Sequence, residues 1–211
     1  MSGTVRLGII GAGAVAVGRH LPAYAEARAA GQAEIVAICD IDQARAAAVA
    51  ADWGVPHVCA DVDALLALPE VDAVSICTPN VFHAAQALVA LAAGKHVLCE
   101  KPLAMTTAEA RAMTDAAARA GVVTAVNFRY RWIPAARQTS DLLAAGALGR
   151  LYHGVFHYFS GWLADPATPG AWRTQRALTG SGALGDLGSH LIDLAAPWLG
   201  PAVRVRGDLR T

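Results

Sequence analysis

The stretch Gly8-Ile9-Ile10-Gly11-Ala12-Gly13-Ala14-Val15-Ala16 constrains this chain more than any other, because it places two glycines and then an alanine where a strand must turn tightly into a helix. Val5 to Ile10 reads as that strand, and an alanine-rich helical stretch begins at Ala14. The same punctuation continues. Strands are predicted over Ile35 to Cys39, Ala73 to Cys77, His96 to Glu100 and Val122 to Asn127, with helices over Ile41 to Trp53, Val81 to Ala93 and Thr107 to Ala120. Thr106 and Glu109 fit a capping box, and Gly94 and Gly121 stand where helices end. Strands alternating with helices in this way predict an α/β fold, a doubly wound parallel sheet of the Rossmann type.

After Asn127 the texture changes to Arg-Tyr-Arg-Trp-Ile-Pro, followed by a predicted helix near Pro134 to Ala145 and a longer aromatic strand from Leu151 to Ser160. A Gly-, Pro- and Thr-rich loop from Gly161 to Gly182 leads to a helix over Leu187 to Trp198, and Val203 to Arg206 begins another strand. Two domains are therefore expected, residues 1–127 and residues 128–211, without repeats or a low-complexity linker.

Composition excludes several classes of function. Seventeen basic and seventeen acidic side chains leave no net charge and no long block of one sign, so nothing recruits nucleic acid or a membrane surface. The 55% hydrophobic content is inflated by alanine, and its apolar runs are broken before the roughly 18 residues a membrane-spanning helix needs. The start, Met1-Ser2-Gly3-Thr4-Val5-Arg6, lacks the pattern of an export signal, which makes the cytoplasm the expected address. Cys39, Cys77 and Cys99 each close a β-type run and Cys59 a weaker one, so buried reduced thiols are expected rather than disulfides or a zinc site. No metal site is expected from His83, Asp186 and His190, since no clustered ligand spacing supports one.

The glycine turn is a GxGxxA variant of the dinucleotide fingerprint. Gly11 permits the turn, Gly13 lets the backbone approach a diphosphate, and a small third residue, Ala16, lets helix and strand pack closely, while the helix opening at Ala14 and Val15 turns free N–H groups to the phosphates. Asp40 ends the second strand, where a carboxylate accepts hydrogen bonds from the adenosine ribose. It lies further from the glycines than the usual roughly 20 residues, because Pro22 divides the first helical region. A 2′-phosphate would meet Asp40, with Asp42 nearby, as repulsive charge, and no arginine occupies the next position, so NAD is expected in preference to NADP.

In an open parallel sheet the ligand crevice lies beyond the carboxyl ends of the strands. Thr78-Pro79-Asn80-Val81-Phe82-His83 follows one strand, and Gly94-Lys95-His96-Val97-Leu98-Cys99-Glu100-Lys101-Pro102-Leu103 carries another into its loop. Later in the chain, Ala171-Trp172-Arg173 precedes Gly180-Ser181-Gly182-Ala183-Leu184-Gly185-Asp186-Leu187-Gly188-Ser189-His190-Leu191-Ile192-Asp193. These strings resemble the TPNxxH, AGKHVLCEKPLA and GGGxxxDxGxHxxD segments of the Gfo/Idh/MocA oxidoreductases, a family that includes inositol and glucose dehydrogenases. Ser181 departs from the usual middle glycine.

The resemblance implies that Thr78, Pro79, Asn80, His83, Glu100 and Lys101 contribute to the cofactor site, and that Arg129, Trp172 and Arg173 line the substrate or nicotinamide pocket. It implies that Lys101 hydrogen-bonds the reacting oxygen, that Asp186 orients substrate and histidine, and that the Lys101–Pro102 peptide is cis. Chemically, Asp186, His190 and Asp193 share a helical face, which clusters an imidazole between carboxylates and makes His190 the candidate general base for oxidising a secondary alcohol. The expected activity is NAD-dependent hydride transfer to or from a sugar, cyclitol or related polyol. Two other readings stand beside it: a noncatalytic NAD-binding regulator, and an NAD-dependent glycoside hydrolase. Members of the family it resembles continue past this length into a large open antiparallel sheet, so an incomplete α+β second domain is expected, in a fragment, a naturally truncated product, or a chain completed by another chain.

Overall fold

The computed structural model describes residues 3–161, 164, 165, 167, 168, 170 and 172–208. Ala171, quoted above with Trp172 and Arg173, lies outside them. Six strands, β1 (Val5–Ile10), β2 (Ala33–Cys39), β3 (His57–Cys59), β4 (Ala73–Ile76), β5 (His96–Cys99) and β6 (Thr124–Val126), form one sheet. Every pairing is parallel and the order is β3-β2-β1-β4-β5-β6. The order reverses beside β1, which opens a crevice at the carboxyl edge between β1 and β4.

Local chemistry explains the crossovers. The first helical region begins with a π-helical turn, Ala16–His20, before α1 (Leu21–Ala29), and Pro22 sits in the first turn of α1, where its missing N–H costs nothing. Helix α2 (Gln43–Trp53) starts at Asp42, whose side chain accepts from the Arg45 N–H, and ends at Gly54 in the left-handed region. A short α3 (Val62–Leu66) precedes β4, and α4 (Asn80–Ala92) follows it, with Pro79 at the N-cap. Helix α5 (Thr107–Ala120) carries the predicted capping box, with Thr106 and Glu109 bonded reciprocally, and stops at Gly121.

These helices cover both sheet faces. One cluster packs Ile76, Val74, Ala87, Leu91 and Met113, and the other packs Ile9, Ile38, Leu21 and Val49. Gly8, in the middle of β1, serves packing: a Cβ there would lie 2.6 Å from Leu65 Cδ2. Cys39, Cys59, Cys77 and Cys99 are free and buried, as expected. Burial pushes the Cys39 thiol up to about 12 and raises Cys59 and Cys99 as well.

The second region agrees in its helices and departs in its strands. Helices α6 (Pro134–Ala144), α7 (Arg176–Thr179) and α8 (Ser189–Leu199) form, with a π-helical turn at Leu184–Gly188 leading into α8. The aromatic run 151–160 and the segment 203–206 were expected as strands, and neither is one. Phe159 is 87% exposed and Val203 fully exposed, because no neighbouring strand among the described residues receives their backbone groups. No helix among the described residues is long and apolar enough to cross a membrane.

Leu65 is fully buried against the glycine in β1. Leu65→Ala is expected to destabilise the fold by about 2–5 kcal/mol. Urea unfolding should then show a lower midpoint at an unchanged slope.

Candidate active site

The glycine turn takes the shape its sequence requires. Gly11 has φ of +96°, and its N–H donates to the Cys39 carbonyl at 2.8 Å. A Cβ on Gly11 would meet Thr78 Cγ2 at 3.0 Å and the backbone there at 3.1 Å, so the turn lies tight against the loop after β4. A Cβ on Gly13 would meet nothing within 4 Å. The backbone at Gly13, Ala14 and Val15 therefore stands open beside a helix start, which fits the diphosphate of a dinucleotide.

Asp40 follows β2 as expected. Its carboxylate accepts from the Ala12 N–H at 2.7 Å, from the Asp42 N–H at 2.8 Å and from Arg45 Nη2 at 2.6 Å. Burial works against the charged form, and the Arg45 guanidinium with the two backbone donors outweighs it, holding the carboxyl below its usual value. Asp40 thus fits a ribose-binding carboxylate that also braces the glycine turn. Arg45, in the first turn of α2, is the neighbour sequence reasoning missed; its side chain reaches back to Asp40 although it does not immediately follow it in sequence.

The loops after β4, β5 and β6 meet in one cavity of about 410 Å³. Thr78, Asn80, Glu100, Lys101 and Asn127 form its sheet-edge wall, with Val15 and Arg19 from the first helix. Asn80 donates from Nδ2 to the Thr179 carbonyl at 3.2 Å, which ties the start of α4 to the second region. The Lys101–Pro102 peptide is cis, as the resemblance implied. His83 does not reach the cavity: it is fully buried, with Nδ1 2.8 Å from the Pro102 carbonyl and Nε2 2.9 Å from the Thr78 carbonyl.

A buried network lies behind Lys101. Glu100 Oε1 is 2.8 Å from His20 Nε2 and accepts from Asn127 Nδ2 at 2.6 Å, while Oε2 accepts the Lys101 N–H at 3.1 Å. His20 Nδ1 lies 2.9 Å from Ser75 Oγ. Burial disfavours the imidazolium, but the Cys77 sulfur and the Glu100 carboxylate override it and push His20 up to about 10. Glu100 is buried too, and hydrogen bonds from His20 and Asn127 overcome that burial to hold it low.

Across the cavity stand Arg129, Tyr130, Tyr158, Trp172, Arg173, Asp186 and His190. Lys101 Nζ donates to Asp186 Oδ1 at 2.6 Å and to the Asp186 carbonyl at 2.8 Å. The expected cluster of an imidazole between two carboxylates does not form. Asp186 is engaged by Lys101, with Arg173 Nε at 3.9 Å, and Asp193 takes a two-pronged ion pair from Arg131. His190 is instead enclosed by rings, Tyr130 with its centroid at 4.3 Å and Phe128 at 5.9 Å, and its Nδ1 is buried without a partner. The π-helical turn through Asp186 breaks the regular 3.6-residue spacing that the sequence argument assumed. Burial, Lys101 and Arg129 all push the His190 pKa down, which favours the neutral imidazole.

Tyr130 and Tyr158, whose hydroxyls are 2.6 Å apart, were not predicted in the site. Tyr130 neighbours the predicted Arg129, whereas Tyr158 lies in a run read as ordinary strand and carried no signal. Arg19 and His20 carried none either, since both sat within a segment read for its glycines.

Sheet order, glycine turn and the carboxylate after β2 define an NAD-binding Rossmann domain of an oxidoreductase. Residues 5–128 match the profile described as oxidoreductase family, NAD-binding Rossmann fold, and residues 136–211 match the GFO/IDH/MocA C-terminal domain. The chain belongs to the Gfo/Idh/MocA oxidoreductase family. It is similar to the D-glucoside 3-dehydrogenase of Escherichia coli (strain K12), 39% identical over 206 residues, covering 96% of this chain and 56% of that protein. It is also similar to the levoglucosan dehydrogenase of Pseudarthrobacter phenanthrenivorans, 38% identical over 174 residues, covering 82% of this chain and 45% of the relative. The solved levoglucosan dehydrogenase in complex with NADH and levoglucosan superposes with a TM-score of 0.84 at 34% identity, covering 93% of this chain and 54% of that one. The chain spans about half the length of these relatives.

Asp40→Ala is expected to weaken NAD binding roughly tenfold to a hundredfold and to narrow the preference over NADP, by loss of hydrogen bonds to a charged group. Tryptophan fluorescence titration with each nucleotide measures both, and an unchanged affinity for NAD would refute this placement of the ribose. The His20–Glu100 pair carries its own pH signature. A raised imidazolium contributes stability that is complete below its unfolded value near 6.5 and fades as pH rises through about 10. The lowered Glu100 contributes above its unfolded value near 4.5 and loses this as pH falls further. The stability difference between wild type and His20→Gln should accordingly be widest between these limits and shrink towards pH 10, as followed by denaturant unfolding at several pH values.

Proposed function

We propose that this chain is the cofactor-binding and catalytic portion of an NAD-dependent dehydrogenase that exchanges a hydride with a secondary carbinol carbon of a sugar, cyclitol or related polyol. The observation that carries the reading is that Lys101, from the loop after β5, and His190, from α8, border a single cavity at the carboxyl edge of the sheet. The sugar dehydrogenases among its relatives support the choice of substrate class.

Bound NAD supplies the two-electron acceptor. In this reading Gly11, Gly13, Ala14 and Val15 receive the diphosphate, Asp40 the adenosine ribose, and Thr78, Pro79, Asn80 and Glu100 border the nicotinamide end. Lys101 donates a hydrogen bond to the substrate oxygen and favours its developing negative charge. Asp186, bonded to that ammonium, sets its position. His190, favoured in its neutral form, takes the hydroxyl proton as the carbon gives up its hydride, leaving a ketone. Arg129, Trp172 and Arg173 border the space left for the sugar.

Residues 1–127 form the nucleotide unit in this proposal, and 128–211 a partial substrate unit whose run 151–160 belongs to an open antiparallel sheet. The family match over 136–211 supports that assignment. The exposed aromatic side chains of that run suit cover by further sheet or by a second copy, in a cytoplasmic homo-oligomer.

The test is to incubate the chain with NAD and a panel of neutral aldoses, glycosides and cyclitols while following NADH absorbance. Lys101→Ala is expected to lower kcat by about 10²–10³-fold and His190→Ala by about 10²–10⁴-fold. In the oxidative direction wild-type kcat should rise with pH through a midpoint below 6.5, and His190→Ala should lack that limb. Nucleotide binding without turnover on any member of the panel would overturn the reading in favour of a regulator, and sugar release without net NADH would favour the hydrolase.

A further inference from the structure

Lys101 sits between two residues that are each held by a different buried histidine. On one side His20, 4% exposed, reaches Glu100 Oε1 through Nε2 at 2.8 Å, and the other oxygen of the same carboxylate accepts the Lys101 N–H at 3.1 Å. On the other side His83, fully buried, places Nδ1 2.8 Å from the Pro102 carbonyl and Nε2 2.9 Å from the Thr78 carbonyl. His20 comes from the π-helical turn and is fixed by Ser75 of β4 at 2.9 Å, whereas His83 comes from the first turn of α4. Both rings are buried, and neither lines the cavity where chemistry is proposed.

We infer that His20 and His83 are positioning residues that clamp the Glu100-Lys101-Pro102 turn from its two sides and so set where the Lys101 ammonium stands. The inference rests on the reading of Lys101 as the group that meets the reacting oxygen. A flat, short-reaching ring with a polar atom at each end suits this task. It spans two fixed partners with few rotatable bonds, so little freedom is lost in holding them. The two clamps act on different backbone groups. The first fixes the Lys101 N–H through a carboxylate that Asn127 also holds at 2.6 Å, and the second fixes the carbonyl after Lys101 relative to the loop that carries Thr78 and Asn80. Displacement of the ammonium by about 1 Å is enough to cost on the order of 10²-fold in rate.

The chain has only two lysines, Lys95 and Lys101, which permits a direct readout. Brief acylation of the full chain with acetic anhydride, followed by peptide mass spectrometry, gives the labelling rate of each amine, and Lys95 serves as the internal standard. His20→Ala and His83→Ala are expected to raise Lys101 labelling at least threefold as its hold on Asp186 loosens, with Lys95 unchanged. His20→Gln, whose amide can donate to Glu100 and accept from the Ser75 hydroxyl, should restore it towards wild type, whereas His83→Gln, able to donate to one of the two carbonyls but not to both from opposite ends, should restore it less. Should an alanine variant fail to fold, the shorter asparagine at the same position keeps a polar group without the reach and takes its place. With a substrate from the panel, the same Ala or Asn variants should lower kcat tenfold or more while KM for NAD changes less than threefold. Unaltered Lys101 labelling in folded variants, or glutamine no better than alanine at position 20, would overturn the inference. Absence of wild-type turnover alongside the expected labelling changes would instead overturn the proposed activity and leave the clamp standing.

Discussion

The arrangement of the molecule depends on all six strands running the same way. Parallel pairing puts every carboxyl end on one edge, so residues far apart in sequence, Gly11 after β1, Asp40 after β2, Thr78 after β4, Lys101 after β5 and Asn127 after β6, are delivered to one rim without any loop having to cross the sheet. The cost is that each strand needs a crossover, and alanine-rich helices with well-formed ends supply them. Gly8 shows how little slack remains, since α3 presses Leu65 into the space where a side chain would stand. The site is therefore a property of strand direction first and of side chains second.

Charge is distributed at that rim in pairs that each link separate elements. Arg45 and Asp40 join α2 to the end of β2, His20 and Glu100 join the first helical region to the end of β5, Lys101 and Asp186 join β5 to the second region, and Arg131 and Asp193 fix α8. Each carboxylate is matched before a ligand arrives, which leaves His190 among aromatic rings with its cationic form opposed by burial and by nearby positive charge. The electrostatic consequence is an imidazole biased towards its neutral form in the same cavity as the lysine held by Asp186. Histidine is the weaker base by its own chemistry, and the surroundings of His190 push it further in the same direction.

Most of the first 127 residues could be read in the sequence because their signals are local. A capping box at Thr106, glycines after α4 and α5, and short β-type runs each report on their own segment, whereas the three-residue β3 and the short α3 were not expected. The site was legible to the extent that it sits at strand ends, and for that reason the glycine turn, Asp40 and Lys101 fall where they were expected. What could not be read depends on partners. The spacing of Asp186, His190 and Asp193 suggested a carboxylate–imidazole cluster, but a π-helical turn and two distant cations, Lys101 and Arg131, decided the outcome. His83 looked like a cofactor ligand from its motif, yet both ring nitrogens are occupied by backbone carbonyls. The run 151–160 has the composition of a strand, but a strand exists only when another lies beside it.

The four cysteines, spread over β2, β3, β5 and the end of β4, have a practical consequence. All four are buried, and burial raises three of them, which disfavours the reactive thiolate. Alkylating reagents should find them only when the sheet opens, so the rate at which the chain acquires such adducts becomes a clock for its own breathing, with each strand reporting separately.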